Sequence, residues 1–215
     1  MTGHATGLLG WGARALAELG GEVRRFAGAE NCVRRREPRE ACTFAGLPAA
    51  AGDANPARLP FVVEVEGLPN LMHELAHAAL LGRLQADHAT EYSRIPFDLA
   101  TAHGRRLLFE ELACCVASCA WHPGDDAAAQ AWFAEQVAIQ PLFFGFERDP
   151  AGFLAAADRQ LRANGDELES TIGRALAGVE GALAAAGAPP AAARPRRPIS
   201  FDVLWRRLPG RASTG

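Results

Sequence analysis

The chain has 215 residues, 49% of them hydrophobic, and a formal net charge of −3. That is enough apolar material for one sizeable core, and the charge gives no electrostatic reason to expect nucleic-acid or membrane binding. All 22 basic residues are arginine, which, with the abundant Ala, Gly and Pro, reads as the mark of a GC-rich genome rather than a functional device.

The first stretch, MTGHATGLLGWGARALAELGGEVRRF, lacks a charged n-region and is interrupted by Gly, Arg and Glu, so it does not read as a signal peptide. No apolar run approaches the roughly 18 residues of a membrane-spanning helix, and a cytoplasmic protein is expected. Five cysteines fit that expectation, with Cys114, Cys115 and Cys119 read as small buried hydrophobes within one helix.

In chain order, residues 5–28 carry helical spacing through Leu8, Leu9, Trp11, Leu16, Val23 and Phe26. NCVRRREPREAC (31–42) reads as a charged connector with Arg34, Arg35 and Arg36 on a solvated face, and residues 46–60 as a Pro/Gly/Ala loop. FVVEVEG (61–67) alternates and ends in Gly, which predicts an edge or half-buried strand. A helix follows over about 70–85, with Asn70 as its expected N-cap. Residues 86–102 read as an ordered loop, 103–122 as a strong helix stopped by Pro123-Gly124, and 125–140 as another helix capped by Asp125 or Asp126. PLFFGFERDP (141–150) reads as an aromatic turn, 151–163 and 166–186 as two more helices, and 187–198 as a linker. ISFDVLWRRLP (199–209) is a short apolar segment able to dock on the body or on a protein partner, and the tail after it is expected to be disordered. The expected class is mainly α (α+β), with at most a small sheet near residues 61–66. Residues 1–186 form the expected single domain, and 187–215 a linker, docking segment and tail.

Within the helix over 70–85, His73-Glu74-Leu75-Ala76-His77 places two histidines four apart. On a helix they stack on one face and can aim both imidazoles at one point. Glu74 lies about 100° round the helix, beside that point, where it can take a proton from a bound water. Two histidines leave zinc underligated, since a catalytic site takes three protein ligands and keeps one position open. A third ligand directly downstream is missing: Gly82 lies five residues after His77 and His88 eleven after, which fits no His-x-x-Gly-x-x-His continuation. The later helix offers a glutamate instead, in LLFEELACCVA. Glu110 shares its stripe with Leu107, Ala113, Cys114, Ala117 and Trp121, and Glu111 shares its own with Leu108, Cys115, Ser118 and His122. The more continuously apolar stripe favours Glu110 as ligand, with Glu111 as the alternate; the other carboxylate is expected to support a histidine. Cys114 or Cys115 is a further ligand candidate.

His73-Glu74-x-x-His77, followed 33 residues later by Glu110 with Ala113 three beyond, resembles the gluzincin branch of the zincin metallopeptidases. The resemblance covers about 60 residues (61–121) and two short motifs. It implies a zincin-like helical domain, zinc bound by His73, His77 and Glu110, and Glu74 as general base in peptide-bond hydrolysis. It also implies that small Ala113 lets its helix lie close to the His-Glu-x-x-His helix. The oxyanion of such a reaction needs a donor, and His88, Tyr92 and His103 are the candidates near the connector. Expected partners are a peptide or small-molecule substrate. Two rival readings exist: a non-heme iron enzyme with Fe(II) on the same two-histidine, one-carboxylate set, and an inactive zincin-like binding module.

Overall fold

The computed structural model describes residues 3–25, 32–36, 59–82, 84 and 96–209. Among the described residues it is mainly helical, with 67% helix, seven helices and one three-stranded sheet. Helix α1 (Gly3–Glu18) leads into β1 (Gly21–Arg25), β2 (Cys32–Arg35) and β3 (Phe61–Val65). Then come α2 (Leu68–Leu81), α3 (Ala102–Ala120), α4 (Asp126–Phe143), α5 (Pro150–Ala185), α6 (Pro190–Ala193) and α7 (Phe201–Arg206). Among the described residues no helix is long and apolar enough to cross a membrane.

The helix expected over 5–28 is a helix and a strand. Gly20, at φ 99°, takes the left-handed conformation that ends α1 and turns the chain into β1. The charged connector is also partly a strand. β3 is neither an edge strand nor half-buried: it runs down the middle of the sheet, largely buried, parallel to β1 and antiparallel to β2, with Val63 opposite both Val23 and Val33. Of the arginines expected on a solvated face, Arg35 is exposed, whereas Arg34 and Arg36 tie the strands together. Arg34 Nη2 meets Glu64 Oε1 at 3.1 Å, and Arg36 donates to Glu22 Oε2 at 2.5 Å. Glu22 is buried, which alone would raise its pKa, but Arg24 and Arg36 hold it below the ordinary glutamate value.

β3 runs directly into α2, as the sequence predicts. The residue at the N-cap of α2 is Gly67 rather than Asn70, because Leu68 and Pro69 already begin the first turn. Asn70 lies inside that turn and accepts from the Gly67 N–H through Oδ1 at 3.2 Å. Gly82, at φ 75°, closes the helix. α3 starts at Thr101, whose Oγ1 accepts from Gly104 N at 3.0 Å, and α4 starts at the expected Asp125. α4 also extends through Pro141 into the expected turn region. The two predicted helices after residue 150 run on as α5, with a kink at Asn164 (φ −139°, ψ 30°).

α2, α3 and α5 pack on one another and carry the centre of the core. Residues 71–78 of α2 are all buried, as is every residue of α3 from Leu107 to Ala120. α5 crosses α2 closely enough that a Cβ on Gly178 would stand 2.9 Å from the Cβ of Ala79. Gly178→Val is therefore expected to destabilise the fold by about 1–3 kcal/mol through overpacking, measurable by urea denaturation.

The C-terminal segment covers its own domain. Phe201 stacks with Trp205 at 5.4 Å and meets Phe133 edge-on at 6.2 Å. Trp205 Nε1 donates to Asp158 Oδ1 at 2.8 Å, and Gln130 Nε2 to the Leu204 carbonyl at 3.0 Å. The expected linker before it holds buried Ala188 and Ala193. Phe201, Leu204 and Trp205 are thus buried against the body of the fold.

Candidate metal centre

Where α2 lies against α3, four ionisable side chains meet in the core. His73, His77, Glu110 and Glu111 are 5%, 2%, 8% and 5% exposed, so any charge among them is poorly solvated and needs a partner. One helical turn apart, the two imidazoles point their Nε2 atoms at each other, 3.1 Å apart, with ring centroids at 4.9 Å. Glu111 joins them: its Oε1 is 3.2 Å from His77 Nε2 and its Oε2 3.6 Å from His73 Nε2. One donor atom from each of His73, His77 and Glu111 lies within 4.8 Å of the others.

This arrangement suits a cation. Ligands about 2.0–2.2 Å from a tetrahedral zinc stand about 3.3–3.6 Å apart, close to the separations here. Two neutral imidazoles whose Nε2 atoms face each other cannot both donate or both accept, whereas one ion satisfies both lone pairs and the carboxylate together. With Nε2 reserved for the ion, each ring proton belongs on Nδ1. His77 Nδ1 then donates to Glu110 Oε1, 3.4 Å away, as ligating histidines do to fix ring and tautomer. Among the described residues, the buried Nδ1 of His73 has no such acceptor.

In their geometry the two adjacent glutamates are exchanged relative to the expectation. Glu111 faces both Nε2 atoms, and Glu110, favoured from the sequence, supports His77 from its outer side. The glutamate that meets both histidines lies one residue later than in the gluzincin resemblance, and the small residue three positions beyond it is Cys114. Burial alone would raise the pKa of Glu111, but the charges and hydrogen bonds of His77 and His73 hold it well below the ordinary value. Glu74 is buried beside the centre, and there burial prevails over the attraction of His73 and His77, with Glu111 adding to the rise. The environment thus shifts the two carboxyls in opposite directions, Glu111 down and Glu74 up.

Gln140 on α4 was missed in the sequence. It is 2% exposed, and its Nε2 donates to Glu111 Oε2 at 3.3 Å and to the Gln136 carbonyl at 3.3 Å. A glutamine in a helical pattern carries no signal of this kind; only the packing of α4 brings it to Glu111. Gln140→Leu is expected to weaken metal binding by about 10–100-fold, the scale of a lost outer partner, as read by competition with a chromogenic chelator.

Of the other candidates, Cys114 lies at the centre, hydrogen-bonded to His77. His103 is exposed at the start of α3, engaged with Arg106 at 3.2 Å and packed on Phe97. His88 and Tyr92 lie outside the described residues. Cys114, Cys115 and Cys119 are buried free thiols, as expected of small core residues. Burial pushes Cys114 and Cys119 up to about 12 and Cys115 well above its ordinary value, so each is neutral in the chain alone.

No family model, curated protein or solved structure matches this chain. What the centre does must therefore be argued from its own groups.

Proposed function

We propose that the protein is a metal-dependent hydrolase, a zinc metallopeptidase or amidase in which His73, His77 and Glu111 hold the ion and Glu74 is the general base. The observation that carries this reading is the meeting of two Nε2 atoms and the Glu111 carboxylate in the core, with the buried carboxyl of Glu74 next to His73 in the chain. A zinc ion bound there would bring the pKa of its water towards about 7 and polarise a substrate carbonyl.

The chain's own residues supply the rest. Glu74 accepts the proton of the attacking water and returns it to the leaving amine, a cycle that a carboxyl with a raised pKa performs better than an ordinary one. Glu110 keeps His77 in the tautomer that presents its Nε2 lone pair, and Gln140 restrains Glu111. Burial of all these groups keeps the surrounding dielectric low, which strengthens each electrostatic contribution.

The test joins metal analysis to hydrolysis. Protein purified without added metal is expected to carry zinc and to cleave members of a broad peptide library. Dialysis against a chelator should abolish cleavage, and added zinc should restore it. The same donor set suits Fe(II) with open positions for oxygen chemistry. Iron in the purified protein, with no hydrolysis after zinc loading, would replace this reading with that one.

A further inference from the structure

Gln140 meets the centre with only one end of its amide. The nitrogen end faces two acceptors, Glu111 Oε2 and the Gln136 carbonyl, both at 3.3 Å. These neighbours fix which end is which, since the reverse orientation would set oxygen against oxygen twice. The oxygen end is left over. Gln140 is 2% exposed, and among the described residues its Oε1 is buried with no hydrogen-bond partner. Most buried polar atoms in folded proteins are paired, so an unpaired one calls for a reason of its own. A leucine or methionine would fill the same place on α4 without leaving an atom unpaired.

The position of Oε1 supplies that reason. The two ends of an amide stand about 2.2 Å apart, so Oε1 is no more than about 5.5 Å from Glu111 Oε2. Glu111 is the carboxylate that faces both Nε2 atoms. An acceptor without a donor thus stands at the edge of the candidate metal centre, held there through its own nitrogen. Neither histidine supplies the donor: His77 Nδ1 faces Glu110, and His73 Nδ1 is itself without a partner among the described residues.

We propose that Gln140 Oε1 is a specificity-determining group that accepts the N–H of an amide whose carbonyl oxygen is turned towards the His73–His77–Glu111 centre. As a statement about substrate it rests on the hydrolase reading. It selects primary and secondary amides, which carry an N–H, over esters and over amides alkylated at that nitrogen, the bond before proline included. A site built around such a hydrogen bond disfavours the analogue that lacks it, because the buried partner then stays unpaired.

The probes are acetohydroxamic acid and N-methylacetohydroxamic acid, which chelate metal ions through two oxygens and differ in one N–H. Both are titrated calorimetrically into the protein and into its Gln140→Leu and Gln140→Met variants, each loaded to one zinc per chain. The wild type is expected to favour the N–H probe at least about tenfold more than the free ion does in solution. Either substitution should bring that ratio to within about twofold of the free ion. Loss of the support to Glu111 alone would weaken both probes together and leave the ratio where it was. The ratio therefore separates the two ends of the amide. Measured on the wild type it needs no variant, so the test holds even if both substitutions impair folding. A wild-type ratio equal to that of the free ion, or a preference untouched by the substitutions, would overturn the proposal. So would failure of the N–H probe to bind a chain that holds zinc. A Gln140-dependent preference in a protein that hydrolyses no amide would leave the N–H acceptor standing and defeat only the hydrolase reading.

Discussion

Glu74→Gln is expected to lower the rate of amide hydrolysis by about 10²–10⁴-fold while the bound metal stays at its wild-type stoichiometry. The amide fills the same space but cannot accept a proton, and it is not among the groups that converge on the ion. Loss of fold would be a trivial explanation, and the direction of the Glu74 shift argues against it. Its pKa is raised in the folded chain. Any stabilising effect of this carboxyl is therefore present below its unfolded pKa and lost as pH rises through the folded one. At neutral pH the neutral glutamine should be tolerated at least as well, so the variant should melt no lower than wild type. In the wild type the same shift moves the acid limb of the pH profile of kcat/KM above the ordinary glutamate range. Activity falls as pH drops through the Glu74 pKa, because the protonated carboxyl has nothing left to accept with. Unimpaired turnover in Glu74→Gln would remove this residue from the chemistry.

The second large effect separates the adjacent glutamates. Glu111→Gln removes the carboxylate that faces both Nε2 atoms and should weaken metal binding far beyond the about 10–100-fold expected for an outer partner. Glu110→Gln should stay within that range, since the Glu110 carboxylate faces the outer nitrogen of His77. Parallel chelator competition on the two variants reads the difference. If Glu110→Gln lost the metal and Glu111→Gln kept it, α3 would have to be turned relative to α2.

That turn is what the sequence could not supply. The His73–His77 pair was legible because a four-residue spacing is geometry internal to one helix, and β3 and α2 were legible from their alternation and end signals. The choice between Glu110 and Glu111 is different in kind. The two differ by about 100° around α3, and a helix normally reveals its inward face by its polar stripe. α3 has none over this stretch, since Leu107 to Ala120 are buried on all sides, so a comparison of stripes had nothing to measure. Gln140 was hidden for a related reason: it reaches Glu111 only because α4 packs against α3. The N-terminal strands were missed through local ambiguity. Val23 fits a helical period as well as it fits a strand. What decides is the pairing of β1 with β3, some 40 residues away, which no local window contains.

The account depends on one ion held by two imidazoles of α2 and one carboxylate of α3. X-ray absorption at the metal edge, with stoichiometry measured on the same sample, tests this most directly. The expected result is one divalent ion per chain with only nitrogen and oxygen neighbours at about 2.0–2.2 Å, lost in His73→Ala. A sulfur neighbour at about 2.3 Å, a chain that takes up no stoichiometric metal, or full retention of the ion in His73→Ala would contradict it.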